Sequence, residues 1–237
     1  MADLAQVERE ESRVREAFER RASRPASTRY SYFDHANLAF IQERERAILG
    51  LLRRRGRFNL AAIRLLEVGC GGGFWLRQFI QWGCSPENVF GIDLVESHVE
   101  RARRCLPAAV TVECRSATRL AFGDATFDLV MLSTVFSSIL DREVCGEIAT
   151  EVFRVLKPCG MILWYDFFVA NPSNPDVRPI KRSEILDLFP GSKVHLRRIT
   201  LAPPLARGIA RVAPGLIGTL SHLKFLCTHY LGTIEKS

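Results

Sequence analysis

The stretch from residue 63 to residue 82 limits what this chain can fold into more than any other. Ile63-Arg64-Leu65-Leu66-Glu67-Val68 reads as a short apolar strand, and it runs directly into Gly69-Cys70-Gly71-Gly72-Gly73. A helical stretch follows from about residue 73 to residue 82. Glycines at 69, 71 and 73 permit a tight turn and let a ligand come close to the main chain. The helix opening there is expected to turn free N–H groups toward the same place.

The same rhythm continues downstream. Residues 88–93, 110–114, 127–132 and 161–165 predict four further strands. Helices are expected over about 97–106, opened by a Ser97–Glu100 capping box, and over about 141–156, ending at Lys157-Pro158. Lys157 is read as a helix-end cation facing the dipole. Alternating strands and helices of this length imply a parallel sheet with helices on both faces. After Asp166 the rhythm breaks into a turn-rich loop (171–176), a short helix (183–189), a sixth strand (194–201), an irregular apolar segment from Pro203, and a last strand (228–235). Upstream, residues 3–22 have helical spacing with a narrow apolar stripe of Leu4, Val7, Val14 and Phe18, and Asn37 is the expected N-cap of a helix to about Arg54. Residues 23–36, rich in Ser, Arg and aromatics, read as a loop or lid.

Composition narrows the class. A chain of 237 residues, 47% apolar and 25% charged, can bury its own core, which excludes a disordered or disulfide-stapled chain. The seven cysteines (70, 84, 105, 114, 145, 159 and 227) contain no Cys-x-x-Cys pair, so neither a metal site nor a disulfide framework is expected. The polar start lacks a signal-peptide core, and the longest late apolar run, between Arg211 and Lys224, holds 12 residues against the roughly 20 of a membrane span. A cytoplasmic location is expected. The net charge of +7 permits anionic partners.

The glycine loop alone leaves two ligands open. A dinucleotide site wants Gly-x-Gly-x-x-Gly, and the third position here is Phe74. Glu67, two residues before the first glycine, would repel a pyrophosphate and suit a cationic ligand. Asp93 lies 20 residues beyond Gly73, where a carboxylate can accept from two vicinal ribose hydroxyls. Glu67-Val68-Gly69-Cys70-Gly71-Gly72-Gly73 resembles the first motif of the class I S-adenosylmethionine (SAM)-dependent methyltransferases. The resemblance continues in order through Gly91-Ile92-Asp93-Leu94, the run from Ala121 to Val130, and the run from Glu151 to Met161, about 100 of the 237 residues.

That resemblance implies a Rossmann-like, doubly wound α/β fold with a seven-stranded, mostly parallel sheet, residues 57–237 forming the core and residues 1–56 a cap of N-terminal helices and lid. It implies SAM as cofactor, with the backbone of Gly69 and Gly71 along its methionine and ribose, Glu67 on its ammonium side, Asp93 on the ribose hydroxyls and Leu94 against the adenine. One departure stands out. Where many members have Gly-Asp-Ala, this chain has Arg115-Ser116-Ala117, leaving Ser116 to meet the adenine amine beside the small Ala117.

Acceptor residues are sought after strands four and five, because ligands in such sheets bind beyond the strands' carboxyl ends. Ser133, at the end of strand four, is expected on the cofactor, while Phe136 beyond it and Tyr165 and Asp166 at the end of strand five are expected on the acceptor. The expected cover supplies Tyr30, Tyr32 and His35. Asp166, an acid among Trp, Tyr and Phe, is the candidate catalytic group, with an ion pair to Arg178 or Arg182 as its structural alternative. Methyl transfer to a small molecule, glycan or natural-product intermediate, at oxygen, is the expected function, with a non-catalytic SAM-binding subunit and an RNA methyltransferase as alternatives. The basic runs Arg53-Arg54-Arg55 and Arg101 to Arg104 sit at helix ends, and no nucleic-acid module accompanies them, which disfavours nucleic acid. The apolar segment from Leu201 to Leu231 raises contact with a membrane surface as a third possibility.

Overall fold

The computed structural model describes residues 2–23, 30–57 and 59–236. Its strands are β1 (Leu65–Val68), β2 (Val89–Asp93), β3 (Thr111–Cys114), β4 (Phe127–Ser133), β5 (Leu156–Phe167), β6 (Lys193–Leu201) and β7 (Cys227–Glu235). They form one sheet in the order β3-β2-β1-β4-β5-β7-β6. The first five are parallel, while β7 lies between β5 and β6 and runs antiparallel to both. The expected seven-stranded, doubly wound α/β architecture is present; six strands lie within two residues of their expected bounds, and β5 begins five residues earlier than expected.

Every residue of β1 is buried because helices cover both faces, which is why it reads as a continuous apolar run rather than an alternation. On one face, α2 (His35–Arg54), α3 (Phe74–Gln81) and α4 (Glu96–Cys105) pack over Leu65, Val89, Met131 and Leu163. On the other, α1 (Leu4–Ala22), α5 (Arg142–Val155) and α6 (Arg182–Leu188) pack over Leu66, Val68, Val130 and Trp164. Two short helices, α7 (Pro203–Ala210) and α8 (Leu216–Leu220), occupy the β6–β7 connection.

Four local expectations are corrected. Asp34, not Asn37, caps α2, its Oδ1 accepting the Asn37 N–H at 2.8 Å. The Ser97–Glu100 box does not form, because α4 already begins at Glu96 and Asp93 Oδ1 accepts the Val95 N–H at 2.9 Å. Lys157 lies within β5 and donates to Asp128 Oδ2 at 2.9 Å instead of facing a helix end. The segment from Pro203 is helical, since proline at the first helical turn is preset for the helix and sacrifices no needed donor. Among the described residues no helix is long and apolar enough to cross a membrane.

Candidate active site

The glycine loop takes the left-handed backbone that its composition permits: φ is 71° at Gly69, 52° at Gly71 and 75° at Gly73. The three positions differ in what a side chain would meet. A Cβ on Gly69 would stand 2.9 Å from Val135 Cγ2, and one on Gly73 would stand 2.9 Å from Leu106 Cδ1, whereas one on Gly71 would point into open space. Gly69 and Gly73 therefore hold the loop against the fold, and Gly71 leaves room above it. Within the turn itself, the amides of the first two glycines are already in use. The Gly69 N–H donates to the Ile92 carbonyl at 2.8 Å, and the Gly71 N–H donates to Asp93 Oδ2 at 2.8 Å.

Asp93, at the end of β2, is thus built into the loop. Its Oδ1 accepts from Val95 N–H, and His98 Nδ1 lies 3.1 Å from the same oxygen, which calls for a proton on that nitrogen. A carboxylate offers about four lone-pair directions, and three protein groups leave about one for a ligand. Glu67 sits near the end of β1 with the Leu76 N–H of α3 beside its carboxyl. It is buried, its Oε2 has no hydrogen-bond partner, and burial together with the Asp93 charge pushes its carboxyl well above the usual range.

Beside the loop opens a cavity of about 260 Å³, near the lower bound of small-molecule sites. Seven of the eight expected cofactor residues line it: Gly69, Gly71, Asp93, Leu94, Ser116, Ala117 and Ser133. The eighth, Glu67, does not. The Ser116 hydroxyl is 2.7 Å from that of Thr118, another lining residue. Thr134 follows Ser133 with φ at 57°, a left-handed conformation that is costly for a β-branched residue, and its N–H is held by the Tyr165 carbonyl at 2.8 Å.

The outer wall is α1, which contributes Glu10, Glu11, Val14 and Phe18. Its apolar stripe was legible as a helix, but not as the wall of a site. Glu10 fastens it: Oε1 accepts the Leu140 N–H at 2.6 Å, and both of its oxygens accept from Arg13, which also donates to the Ser138 carbonyl. Phe18 meets His98 edge to face at 5.1 Å. Of the expected lid, residues 24–29 lie outside the described residues, and Tyr30, Tyr32 and His35 are exposed and away from the cavity.

The remaining candidates are buried behind the site. Phe136 packs against Trp164 and Phe189. Tyr165 stacks on His229, lies 5.1 Å beneath the Arg44 guanidinium, and pairs its hydroxyl with Thr200 at 3.1 Å. Asp166 meets neither Arg178 nor Arg182 in an ion pair. Its Oδ2 accepts the Ser137 N–H at 3.0 Å and its Oδ1 the Phe167 N–H at 2.9 Å, and burial raises its pKa to about 7. Among the described residues no cluster of His, Cys, Asp and Glu could hold a metal ion.

Residues 65–160 match the family described as methyltransferase domain, a span running from β1 into β5. Those residues form a methyltransferase domain. Curated relatives include the tRNA N(3)-cytidine methyltransferase METTL2 of Gallus gallus, 34% identical over 116 residues, which are 45% of this chain and 31% of the relative. Another is a ubiquinone biosynthesis O-methyltransferase of Pseudomonas fluorescens (strain SBW25), 32% identical over 123 residues, 50% of this chain and 49% of the relative. This chain thus spans about half, or less, of the length of these relatives. Among solved structures, the 1,6-didemethyltoxoflavin-N1-methyltransferase of Burkholderia thailandensis has a TM-score of 0.64 at 17% identity, covering 100% of this chain and 93% of that one, and holds S-adenosylhomocysteine. The cyclase SpnF shares the fold with a TM-score of 0.61 at 19% identity, covering 82% of each chain. At such identities the likeness is one of fold, and function rests on the site.

The residues present fit SAM, the cofactor of the family. Gly71 leaves a cradle that a Cβ would fill, and the cavity joins apolar walls (Val68, Ile92, Leu94) to a carboxylate and hydroxyls, as a nucleoside requires.

Proposed function

We propose that this protein is an enzyme that transfers the methyl group of SAM to a hydroxyl of a small organic acceptor, such as a glycan or natural-product intermediate. The observation that carries the reading is the convergence of Gly69, Gly71, Asp93, Leu94, Ser116, Ala117 and Ser133 on one cavity at the carboxyl edge of the sheet. Bound SAM would supply a methyl group on a sulfonium, open to displacement by an acceptor. The protein's part is alignment and exclusion of water. Asp93 and the Gly69–Gly73 turn would hold the ribose and amino-acid portions, Leu94 and Ala117 would wall the base, and α1 would close the site from solvent. Asp166 acts as a positioning residue: by holding the Ser137 N–H it fixes the turn after β4 that leads out of the cavity.

The small-molecule reading is supported by the ubiquinone biosynthesis relatives, and the family match ends at residue 160, before the β5 carboxyl end and the α6–β7 region where acceptor contacts would lie. The tRNA methyltransferase likeness covers 31% of that relative, so nucleic acid stays the second reading. Two measurements test the proposal. Calorimetry is expected to show S-adenosylhomocysteine binding with no comparable NAD binding, and incubation with labelled SAM and a metabolite extract is expected to label a small product. Tight binding with no transfer to any extract fraction would assign a non-catalytic SAM-binding subunit instead. Label appearing only in RNA would move the acceptor class.

A further inference from the structure

Between Asp187 and Glu235 the sequence holds 47 residues without one carboxylate, while Lys193, Arg197, Arg198, Arg207, Arg211 and Lys224 give it six positive charges. The chain's average of 26 acidic residues in 237 would place about five there. Among the described residues none of these six basic groups forms an ion pair. Elsewhere the pattern differs: Arg13, Arg154 and Arg178 each meet a carboxylate within 2.9 Å.

The middle of this stretch also exposes large apolar side chains. Leu201 pairs with Cys227 and Phe167 with His229, so the α7–α8 excursion leaves and rejoins the sheet at its carboxyl edge, the edge that carries the glycine loop. Its inward side chains, Ala206 and Ile217, close a small core with Ala36 and Leu201. Its outward ones do not pack: Val212 is 84% exposed, Phe225 74%, and Leu205, Leu216 and Leu223 are exposed as well. The turn before α2 adds Tyr30, Tyr32 and Phe33, the last 96% exposed, and α2 joins this corner through Ala36.

Aliphatic groups beside unpaired cations, on short helices lying across one corner, are what the headgroup region of an anionic membrane accommodates: the apolar tips enter the acyl boundary and the cations meet phosphates. Single-stranded nucleic acid also seeks basic surfaces, but it stacks its bases on aromatic platforms. Four of the five exposed apolar residues of the excursion have no ring, and the rings of the Tyr30–Phe33 turn stand on a different segment from the six cations.

We propose that the corner formed by α7, α8 and the Tyr30–Phe33 turn is a docking surface for an anionic lipid bilayer, with Val212, Leu216, Phe225 and Phe33 entering the interface and Arg207, Arg211 and Lys224 on lipid phosphates. The proposal is independent of methyl transfer, and its test needs no acceptor. The full-length protein is floated with vesicles of phosphatidylcholine alone or containing about one third phosphatidylglycerol. It is expected to float with the anionic vesicles only. Because each basic residue near such a surface contributes roughly a fivefold factor, the triple variant Arg207→Gln/Arg211→Gln/Lys224→Gln should partition about 10²-fold less. Phe225→Ser with Val212→Ser, at positions outside the core, should lower partitioning by at least about tenfold without shifting the melting temperature. No flotation with anionic vesicles would overturn the proposal. So would flotation that the apolar pair leaves unchanged, which would be plain charge adsorption. Retention of a single-stranded RNA that falls with the triple variant, in the absence of flotation, would assign the surface to nucleic acid.

Discussion

Replacing Asp166 with Asn tests the buried carboxyl behind the site by its dependence on pH. In the folded protein burial raises its pKa from an ordinary 3.8 to about 7. Neutral Asp166 therefore contributes stability that is fully present below about pH 3.8 and is lost as pH rises to about 7. Three pKa units of difference correspond to about 4 kcal/mol. Asn carries no charge at any pH, but its NH₂ cannot accept, so one of the Ser137 and Phe167 N–H groups loses its partner at a cost of about 1–3 kcal/mol. The two effects have opposite signs, and pH decides between them. At about pH 4.5 the variant should be about 1 kcal/mol less stable than the parent, and at about pH 8 about 2 kcal/mol more stable, a swing of about 3 kcal/mol. Urea unfolding of both proteins at both values measures it, and the difference between them cancels other titrating groups such as His229, whose burial lowers its pKa to about 3. An equal stability difference at the two pH values would refute the reasoning. As a positioning residue, Asp166 should leave transfer within several-fold after the change, whereas a fall of roughly 10²-fold at unchanged S-adenosylhomocysteine affinity would make it the acceptor's base.

Asp93→Ala should weaken S-adenosylhomocysteine binding by at least about 1–3 kcal/mol in calorimetry, and unchanged affinity would remove Asp93 from the cofactor site. Gly69→Ala should lower thermal stability by about 1–2 kcal/mol, since it forces a left-handed residue with a Cβ against Val135. Glu10→Ala, which strips the Leu140 N–H of its acceptor, should cost about 1–3 kcal/mol in urea unfolding. Hydrogen exchange should show residues 4–22 gaining protection when S-adenosylhomocysteine is added, and equal protection in both states would make α1 a permanent wall rather than a closing strap.

The parts of the fold that local chemistry dictates were legible in the sequence. Strands β1 to β5 announced themselves by short apolar runs, and the cofactor side by glycines whose spacing only a tight turn explains. Seven of the eight named cofactor residues meet at one cavity because all of them sit at strand ends, which a parallel sheet brings to one edge. The wall supplied by Glu10, Val14 and Phe18 was not legible, since periodicity shows which face of a helix is apolar but not what that face covers. The Tyr30–Phe33 cluster differs for the opposite reason: aromatic residues suggest a cover over the cofactor, yet these face solvent away from the cavity. The α4 cap was misplaced because the acceptor for the Val95 N–H comes from Asp93, a residue already assigned to the cofactor, and one carboxylate does both jobs.

The position of β7 sets an order of assembly. Since β6 pairs with β7 alone, residues 193–201 have no place in the sheet until residues 227–235 arrive. A Cβ on Gly232 would collide with the His195 carbonyl, so this late pairing also tolerates no side chain at its midpoint. The strands that carry the glycine loop and Asp93 can pair without waiting for it. Until β7 closes, the apolar flank of β5 around Ile162, Leu163 and Trp164 is an unpaired strand edge, the kind that recruits other chains. During synthesis the strands of the cofactor half can therefore pair first, and the half expected to receive the acceptor closes through β7 afterwards.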